Sequence, residues 1–464
     1  MKKIILISIL LILLALIFTW PLVLNLNTLI LDKQDGLLIT WILNWNISHP
    51  FDYNTNIFYP FKNTLAFSEV MFPLAFLTAI PVKIFQEPLL AYNLSFLLAL
   101  VLTPLSMYLL LKNVLIALIF TYSPIFLGYT AHLQLLNFWP VILAIYFLIN
   151  KKFWLFAIFV PIAATTSVLF TYFLLLVTIT QSILTKNLKS ILYFGVGGVL
   201  FLPFLLPYFS VSREFHYVRP LTDAIHNSLY IPILFFILLV PLIFAKPRLF
   251  PVIAISSFIL ALGPALHLVK DTVHIGPIPA IPLPYTIFYY LLPGFSGLRT
   301  PSRWIILAFF ALCVFFSIKI KRPLFYVFIL LIFIVTRTPF KYQEVPKLRE
   351  FPPEQVWLKN NFAGAPTIQF PIYGWWNEPG VTEETLRMYY STIHWHPMYN
   401  GYSGFSPKDW EEKVIWLQKE FPSPQAVEYL KGLKIKLILV PKNWEVPSAK
   451  KIVEFPDIMI YEIL

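Results

Sequence analysis

The chain has 464 residues, of which 58% are hydrophobic and only 12% are charged, with a mean hydropathy of +0.73, whereas soluble domains carry about 25% charged residues. This composition excludes a soluble globular enzyme and predicts an integral membrane protein. The net charge of +12 does not indicate nucleic-acid binding. Residues 1–340 hold 21 Lys and Arg against 8 Asp and Glu, and residues 341–464 hold 14 against 15. The basic excess therefore lies in the apolar part, as is usual for the loops of membrane proteins.

Hydropathy predicts eleven membrane spans, each of which needs about 20 mostly apolar residues. In chain order they cover residues 4–24, 89–111, 114–130, 137–150, 153–164, 167–184, 190–208, 230–245, 250–267, 303–318 and 323–338. The first has no small-residue cleavage site after it, so we expect a retained span instead of a signal peptide. Residues 71–85 are apolar but short and contain Pro73, Pro81 and Lys83, which favours a helix lying in the outer interface.

The loop charges predict an orientation, because cytoplasmic loops collect Lys and Arg. With the amino terminus inside, the inner loops hold basic residues and no acidic ones: Lys2, Lys3, Lys112, Lys151, Lys152, Lys186, Lys189, Lys246, Arg248, Lys319, Lys321 and Arg322. The acidic residues before position 340 then all lie outside: Asp32, Asp35, Asp52, Glu69, Glu87, Glu214, Asp223 and Asp271. We therefore expect a plasma (inner) membrane protein with a cytoplasmic amino terminus and a long first outer loop, residues 25–88.

The section after residue 340 gains Lys, Glu, Trp and Asn and has mixed patterns. Residues 366–372, 435–440 and 458–463 are typical of strands, and residues 408–420 and 424–432 of helices. The predicted fold class is thus an α-helical polytopic membrane domain, residues 1–340, followed by a small extracytoplasmic α/β domain, residues 341–464.

The first outer loop holds the first candidates for chemistry. Asp32 and Asp35 precede the run 37–45, which is expected to form an amphipathic helix at the membrane surface. Carboxylates there suit a divalent cation or a general base, and they equally suit capping of the helix start. Glu69, just before an apolar segment, is either another ligand or base or a solvated loop carboxylate.

Two further outer segments are expected to face the same cleft. His132 and Gln134 follow the third span, and His132 is either a substrate contact or an ordinary interfacial histidine. Arg299 and Arg303 precede the tenth span. Arginine binds phosphate with paired hydrogen bonds, but Arg also anchors helices at membrane surfaces, so both interpretations stay open.

The aromatic stretch 389–405 is a candidate sugar-binding surface, with a packed core or an interdomain seam as the alternative. His394 and His396 are expected on one face of a strand. Two histidines without a third ligand make a weak zinc site.

Segments along the whole chain resemble one group of membrane proteins. They are residues 19–22 (TWPL), Asp35 with 40–45 (TWILNW), 56–60 (NIFYP), 91–94 (AYNL), 132–134 (HLQ), 298–303 (LRTPSR), 391–395 (STIHW) and 400–405 (NGYSGF). With one span, a long outer loop with an early aspartate, many short spans and an outer carboxy-terminal domain, the layout resembles the GT-C superfamily of membrane glycosyltransferases, more narrowly an uncharacterised bacterial and archaeal group within it.

That resemblance implies transfer of a sugar from a polyprenyl-phosphate donor to a lipid, glycan or protein acceptor on the outer face. The catalytic acid of the first loop would be Asp35. Substrate-binding residues would be Glu69, His132, Gln134, Arg299, Arg303 and His394. A divalent metal ion is a conceivable cofactor held by Asp35, but the second acid that some members carry beside the first is here separated from it by Lys33-Gln34.

Two other functions are weighed against transfer. One is a glycan- or lipid-binding membrane protein of the same fold without catalysis. The other is a transporter or flippase, although carriers generally bury acidic residues within their spans and none of the 8 acids before position 340 lies in mid-span.

Overall fold

The computed structural model describes residues 2–212, 241–242, 248–268, 271–273, 276, 280–292, 294–298, 300–336 and 339–463. The helices of the apolar part are α1 Lys2–Phe18, α2 Asp35–Ser48, α3 Phe72–Phe85, α4 Leu89–Leu111, α5 Val114–Thr121, α6 Pro124–Leu127, α7 Leu133–Leu136, α8 Trp139–Ile149, α9 Phe153–Thr166, α10 Val168–Thr185, α11 Lys189–Ser212, α12 Leu249–Ala261, α13 Tyr285–Leu291, α14 Ile305–Lys319 and α15 Pro323–Thr336. The later helices are α16 Pro353–Asn360, α17 Glu378–Ser391, α18 Trp410–Glu420 and α19 Pro424–Gly432.

Helices long and apolar enough to cross a membrane include α4, α10, α11 and Pro301–Lys319, and several shorter apolar helices accompany them. The chain is therefore a helical membrane protein. Ten of the predicted spans coincide with helices, while the eighth, residues 230–245, lies almost wholly outside the described residues. The predicted span 114–130 is divided between α5 and α6, because the Ser123 side chain caps a new helix that begins at Pro124.

The helix predicted after Asp35 is present as α2, but the exposed polar face expected of an amphipathic surface helix is not. Every residue of α2 from Gly36 to Ile47 is buried, since the helix packs against α3, α4 and α17. Its polar side chains bond to protein groups: Asn44 Nδ2 donates to the Pro88 carbonyl at 2.8 Å, and Trp41 Nε1 donates to Asn56 Oδ1 at 3.1 Å. The polar stripe suggested by the sequence thus meets other segments of the chain instead of water.

The carboxy-terminal part contains a four-stranded mixed sheet in the order β5 (Thr367–Gln369), β6 (Leu437–Pro441), β8 (Ile458–Glu462) and β7 (Lys450–Glu454). The first pair is parallel and the others are antiparallel. The three predicted strands and both predicted helices are confirmed. The expected strand at His394 and His396 is wrong, because both lie in the turn and loop after α17.

Four two-residue strands, paired in two ladders, and a longer seam complete the described topology. β2 (His267–Leu268) pairs with β3 (Asp271–Thr272), and β1 (Leu29–Ile30) in the first loop pairs with β4 (Gln343–Glu344). Backbone bonds also join residues 56–59 to residues 398–400, among them Tyr59 N–H to the Met398 carbonyl at 2.8 Å. The first loop and the carboxy-terminal part are therefore built together.

Candidate functional site

The site starts in the turn before α2. Asp32 Oδ1 accepts hydrogen bonds from the backbone N–H groups of Gln34, at 2.7 Å, and Gly36, at 3.4 Å. Gly36 lies at a close approach, because a Cβ there would be 3.0 Å from Ile30 Cδ1. The Asp32 carboxylate therefore binds backbone N–H groups at the start of α2, as the capping interpretation predicted. Asp35, the first residue of α2, makes other contacts.

The Asp35 carboxylate lies between two side chains from distant segments. Its Oδ2 is 3.5 Å from His132 Nδ1, and its Oδ1 accepts a hydrogen bond from the Tyr402 hydroxyl at 3.4 Å. The side chains of Asp35 and His132 are each 32% exposed, so a substrate can reach them. The position at a helix amino terminus also favours the ionised carboxylate.

His132 joins Asp35 to Arg303. Arg303 Nη2 is 3.0 Å from His132 Nε2, and a guanidinium can only donate. Nε2 must therefore accept, which assigns the imidazole proton to Nδ1, the nitrogen that faces Asp35. Asp35, His132 and Arg303 form one continuous line of polar contacts, which we call the polar triad.

Arg303 is held by the turn that begins the apolar segment Pro301–Lys319. The next residue, Trp304, is buried and packs its ring against Phe173 at 4.9 Å, while the Tyr129 hydroxyl donates to the Ser302 carbonyl at 3.3 Å. Arg303 Nε is buried and makes no hydrogen bond within the described residues. A buried donor without an acceptor is unfavourable, and an anionic ligand would satisfy it.

Glu69 lies near this guanidinium and supports α10. Its carboxylate accepts hydrogen bonds from the Ser167 hydroxyl and the Val168 backbone N–H, both at 2.8 Å. Burial raises the pKa of the Glu69 carboxyl, against the opposing effects of these two bonds and of the Arg303 charge. Glu69 therefore caps a helix and sets the field around Arg303, and it is not a solvated loop carboxylate.

The remaining predicted residues are not joined to the polar triad by any contact the structure describes. Gln134 is buried, and its Oε1 makes no hydrogen bond within the described residues. His394 Nε2 bonds Gln355 Oε1 at 3.1 Å, and burial lowers the pKa of His394 to about 3, which leaves the ring neutral. Arg299 lies outside the described residues. Roles for these three residues in substrate binding stay predictions.

Sequence reasoning did not identify Tyr402 or Tyr129 as site residues. Tyr402 was part of the aromatic stretch, but it is 367 positions from Asp35, and nothing local in the sequence pairs them. The Tyr129 backbone carbonyl accepts from His132 N–H at 2.8 Å, so a tight turn presents the imidazole. In the sequence, the only sign of this turn was an isolated histidine after a run of turn residues.

Few side chains that could hold a divalent cation come together at the site within the described residues. No group of three or more His, Cys, Asp or Glu side chains comes together in the part of the chain that the structure describes. Asp35 and His132 face each other, while Asp32 is engaged in its turn and the Arg303 guanidinium lies behind the imidazole. Mg²⁺ can be held by one or two carboxylates together with waters and substrate phosphates, so a metal ion held by Asp35 stays a prediction.

Similarity to known proteins is found in the fold. No protein-family profile matches the sequence, and no curated protein sequence matches it. Among solved structures, the fold is similar to that of the archaeal oligosaccharyltransferase AglB from Archaeoglobus fulgidus, described in complex with an inhibitory peptide and a dolichol-phosphate, with a TM-score of 0.45 and 12% identity. The similarity covers 95% of this chain and 69% of that one.

Proposed function

We propose that the protein is a membrane glycosyltransferase that moves a sugar from a polyprenyl-phosphate donor to a hydroxyl group of a lipid, glycan or protein acceptor. The polar triad carries the proposal, because it places a carboxylate, an imidazole and a guanidinium in contact at the edge of an apolar helix segment. A reaction on a lipid-linked anion needs this combination of a base, a cation and an adjoining lipid phase. The resemblance seen in the sequence motifs points the same way.

The proposed reaction is a single displacement at the anomeric carbon of the donor. The acceptor hydroxyl oxygen attacks that carbon, its proton passes to the Asp35 carboxylate, and the bond to the phosphate oxygen breaks with its electron pair leaving on the phosphate. Arg303 compensates the charge that develops there, which is commonly the larger catalytic contribution. One displacement inverts the configuration at the anomeric carbon.

His132 acts as the link between the base and the cation in this proposal. Its Nδ1–H faces Asp35 and its Nε2 accepts from Arg303. Since Nε2 is already engaged, the imidazole orients the other two groups instead of taking the acceptor proton. Glu69 interacts electrostatically with Arg303.

The orientation of the chain is also a proposal, with residues 25–88 and the carboxy-terminal part outside. The single cysteine, Cys313, is buried, so a Cys313→Ala background allows new thiols to be tested singly. Lys62 and Lys186 are both exposed. In intact cells, Lys62→Cys should react with an impermeant maleimide, and Lys186→Cys should react only after permeabilisation. The reverse pattern would overturn the orientation.

The activity is tested by incubating the purified, detergent-solubilised protein with radiolabelled polyprenyl-phosphate sugars and a membrane lipid extract. We expect transfer of label to an acceptor, or release of sugar to water, from one class of donor. An Asp35→Ala variant that remains folded should show neither.

A binding protein and a transporter would give different results with the same purified protein. Binding of a glycan or lipid without turnover, unaffected by Asp35→Ala, would identify a binding protein. Movement of unchanged donor across reconstituted vesicles, without product, would identify a transporter. Either result would overturn the proposed transfer.

A further inference from the structure

Tyr402, from the carboxy-terminal part, contacts the proposed base directly. Its hydroxyl donates to Asp35 Oδ1, while Oδ2 faces His132. The two oxygens of one carboxylate are therefore directed by groups from two distant parts of the chain. A carboxylate on a freely rotating side chain would lose the alignment with His132, and alignment of the reacting groups is a large part of catalysis.

Helix α17 holds the turn that carries Asp35. The Thr385 hydroxyl donates to the Lys33 carbonyl at 2.8 Å, and Gln34 Nε2 donates to Thr382 Oγ1 at 3.4 Å. Thr382 and Thr385 are three residues apart and so lie on the same face of the helix. This face contacts the turn immediately before Asp35.

The same helix also holds Tyr402. Its Met388 sulfur accepts a hydrogen bond from the Tyr402 backbone N–H at 3.3 Å. Met388 follows Thr385 by three positions and is its neighbour on the helix surface. One helix thus fixes both the backbone before Asp35 and the tyrosine that contacts its carboxylate.

We propose that the carboxy-terminal part completes the transfer site, with Tyr402 as a positioning residue for the Asp35 carboxylate and with Thr385 of α17 clamping the turn that carries it. The inference rests on the proposed function for its catalytic consequence. Its structural content, which is the clamp and the Tyr402–Asp35 contact, is measurable whether or not the donor is known. It assigns the carboxy-terminal part a role in the chemistry.

The clamp is tested by hydrogen–deuterium exchange of the full-length protein in detergent. Thr385→Val keeps the side-chain shape but removes the bond to the Lys33 carbonyl, so exchange in the peptide covering residues 33–38 should accelerate at least threefold. Thr392→Val is the matched control, because its hydroxyl bonds the Tyr389 carbonyl of its own helix. Equal exchange in the wild type and Thr385→Val would overturn the clamp.

The positioning role is tested with a double-variant cycle on the thermal midpoint. Tyr402→Phe should lower Tm by about 1–2 °C in the wild-type background and should have no effect in an Asp35→Ala background. Tyr429→Phe is the control, because that hydroxyl contacts Tyr399 and its effect should be the same in both backgrounds. An effect of Tyr402→Phe that persists without Asp35 would overturn the positioning role.

Turnover separates this inference from the proposed function. If the wild type transfers label, Tyr402→Phe should reduce kcat about 5- to 30-fold with the KM for the donor unchanged, and an unchanged kcat would overturn the inference. If the wild type transfers no label from any donor, the proposed function fails and the catalytic consequence fails with it. The exchange and Tm measurements would still decide whether Tyr402 and Thr385 hold Asp35.

Discussion

Asp35→Asn should lower the rate of label transfer by about 10³-fold, within the range that a positioned general base contributes. Asparagine keeps the size of the side chain and can still contact His132 and Tyr402, but it cannot accept the proton of the acceptor. The loss should therefore appear in kcat, with little change in the KM for the donor. Initial rates with saturating acceptor at several donor concentrations measure both values.

Asp52→Asn is the matched control for this variant. Asp52 belongs to the same loop and is exposed, with its carboxylate bonded to the Asn54 backbone N–H at 2.8 Å. Wild-type turnover is expected from it. Equal losses in Asp52→Asn and Asp35→Asn would indicate a general effect of loop charge and would contradict the assignment of Asp35 as the base.

Arg303→Ala should cost about 10²- to 10³-fold in kcat, as expected for loss of a preorganised donor to a developing charge. The loss should be at least as large as that caused by His132→Ala, because Arg303 would contact the leaving phosphate and His132 would act through its neighbours. Arg303→Lys should recover only part of the activity, since an ammonium cannot make the paired hydrogen bonds of the planar guanidinium. The same label-transfer assay compares the three variants.

Arg349→Ala controls for loss of a positive charge, because the Arg349 side chain is 77% exposed and pairs only with its neighbour Glu350 among the contacts described for it. It should transfer label at the wild-type rate. A His132→Ala variant much less active than Arg303→Ala, in preparations of equal Tm, would contradict the division of roles and make the imidazole the central group.

The helices were predicted well where local signals agree. Residues 424–432 were predicted with the observed bounds, because Ser423 caps a helix with Pro424 at its first position. Helix α17 was missed, although Asn377 accepts from the Gly380 N–H and Pro379 follows the cap. The run of aromatic residues after it suggested a strand, and tertiary contacts outweighed that local preference.

The burial of α2 could not be predicted from its sequence. Its Asn and Trp side chains suit a membrane surface as well as they suit the buried partners found for them. Which of these they meet depends on Pro88 and Asn56, residues outside the helix, and on α17 several hundred positions away. The hydrophobic periodicity and the composition of a segment carry no information about such contacts.

The candidate site was predictable in its residue types and not in its connections. Asp35, His132 and Arg303 were each selected for separate reasons, and the structure brings them into one line of contacts. Tyr402 was not selected, because a tyrosine inside an aromatic stretch has no local mark of contact with a carboxylate. His394 was selected and lies with Gln355 instead.

The central claim, that one carboxylate directs a single displacement on a polyprenyl-phosphate sugar, is tested most directly by the configuration of the product. The anomeric proton coupling of the transferred sugar, measured by NMR on product made by the wild-type protein, gives that configuration. The account predicts inversion relative to the donor, with about 10³-fold slower product formation by Asp35→Asn under the same conditions. Retention of configuration, or equal product from both proteins, would contradict it.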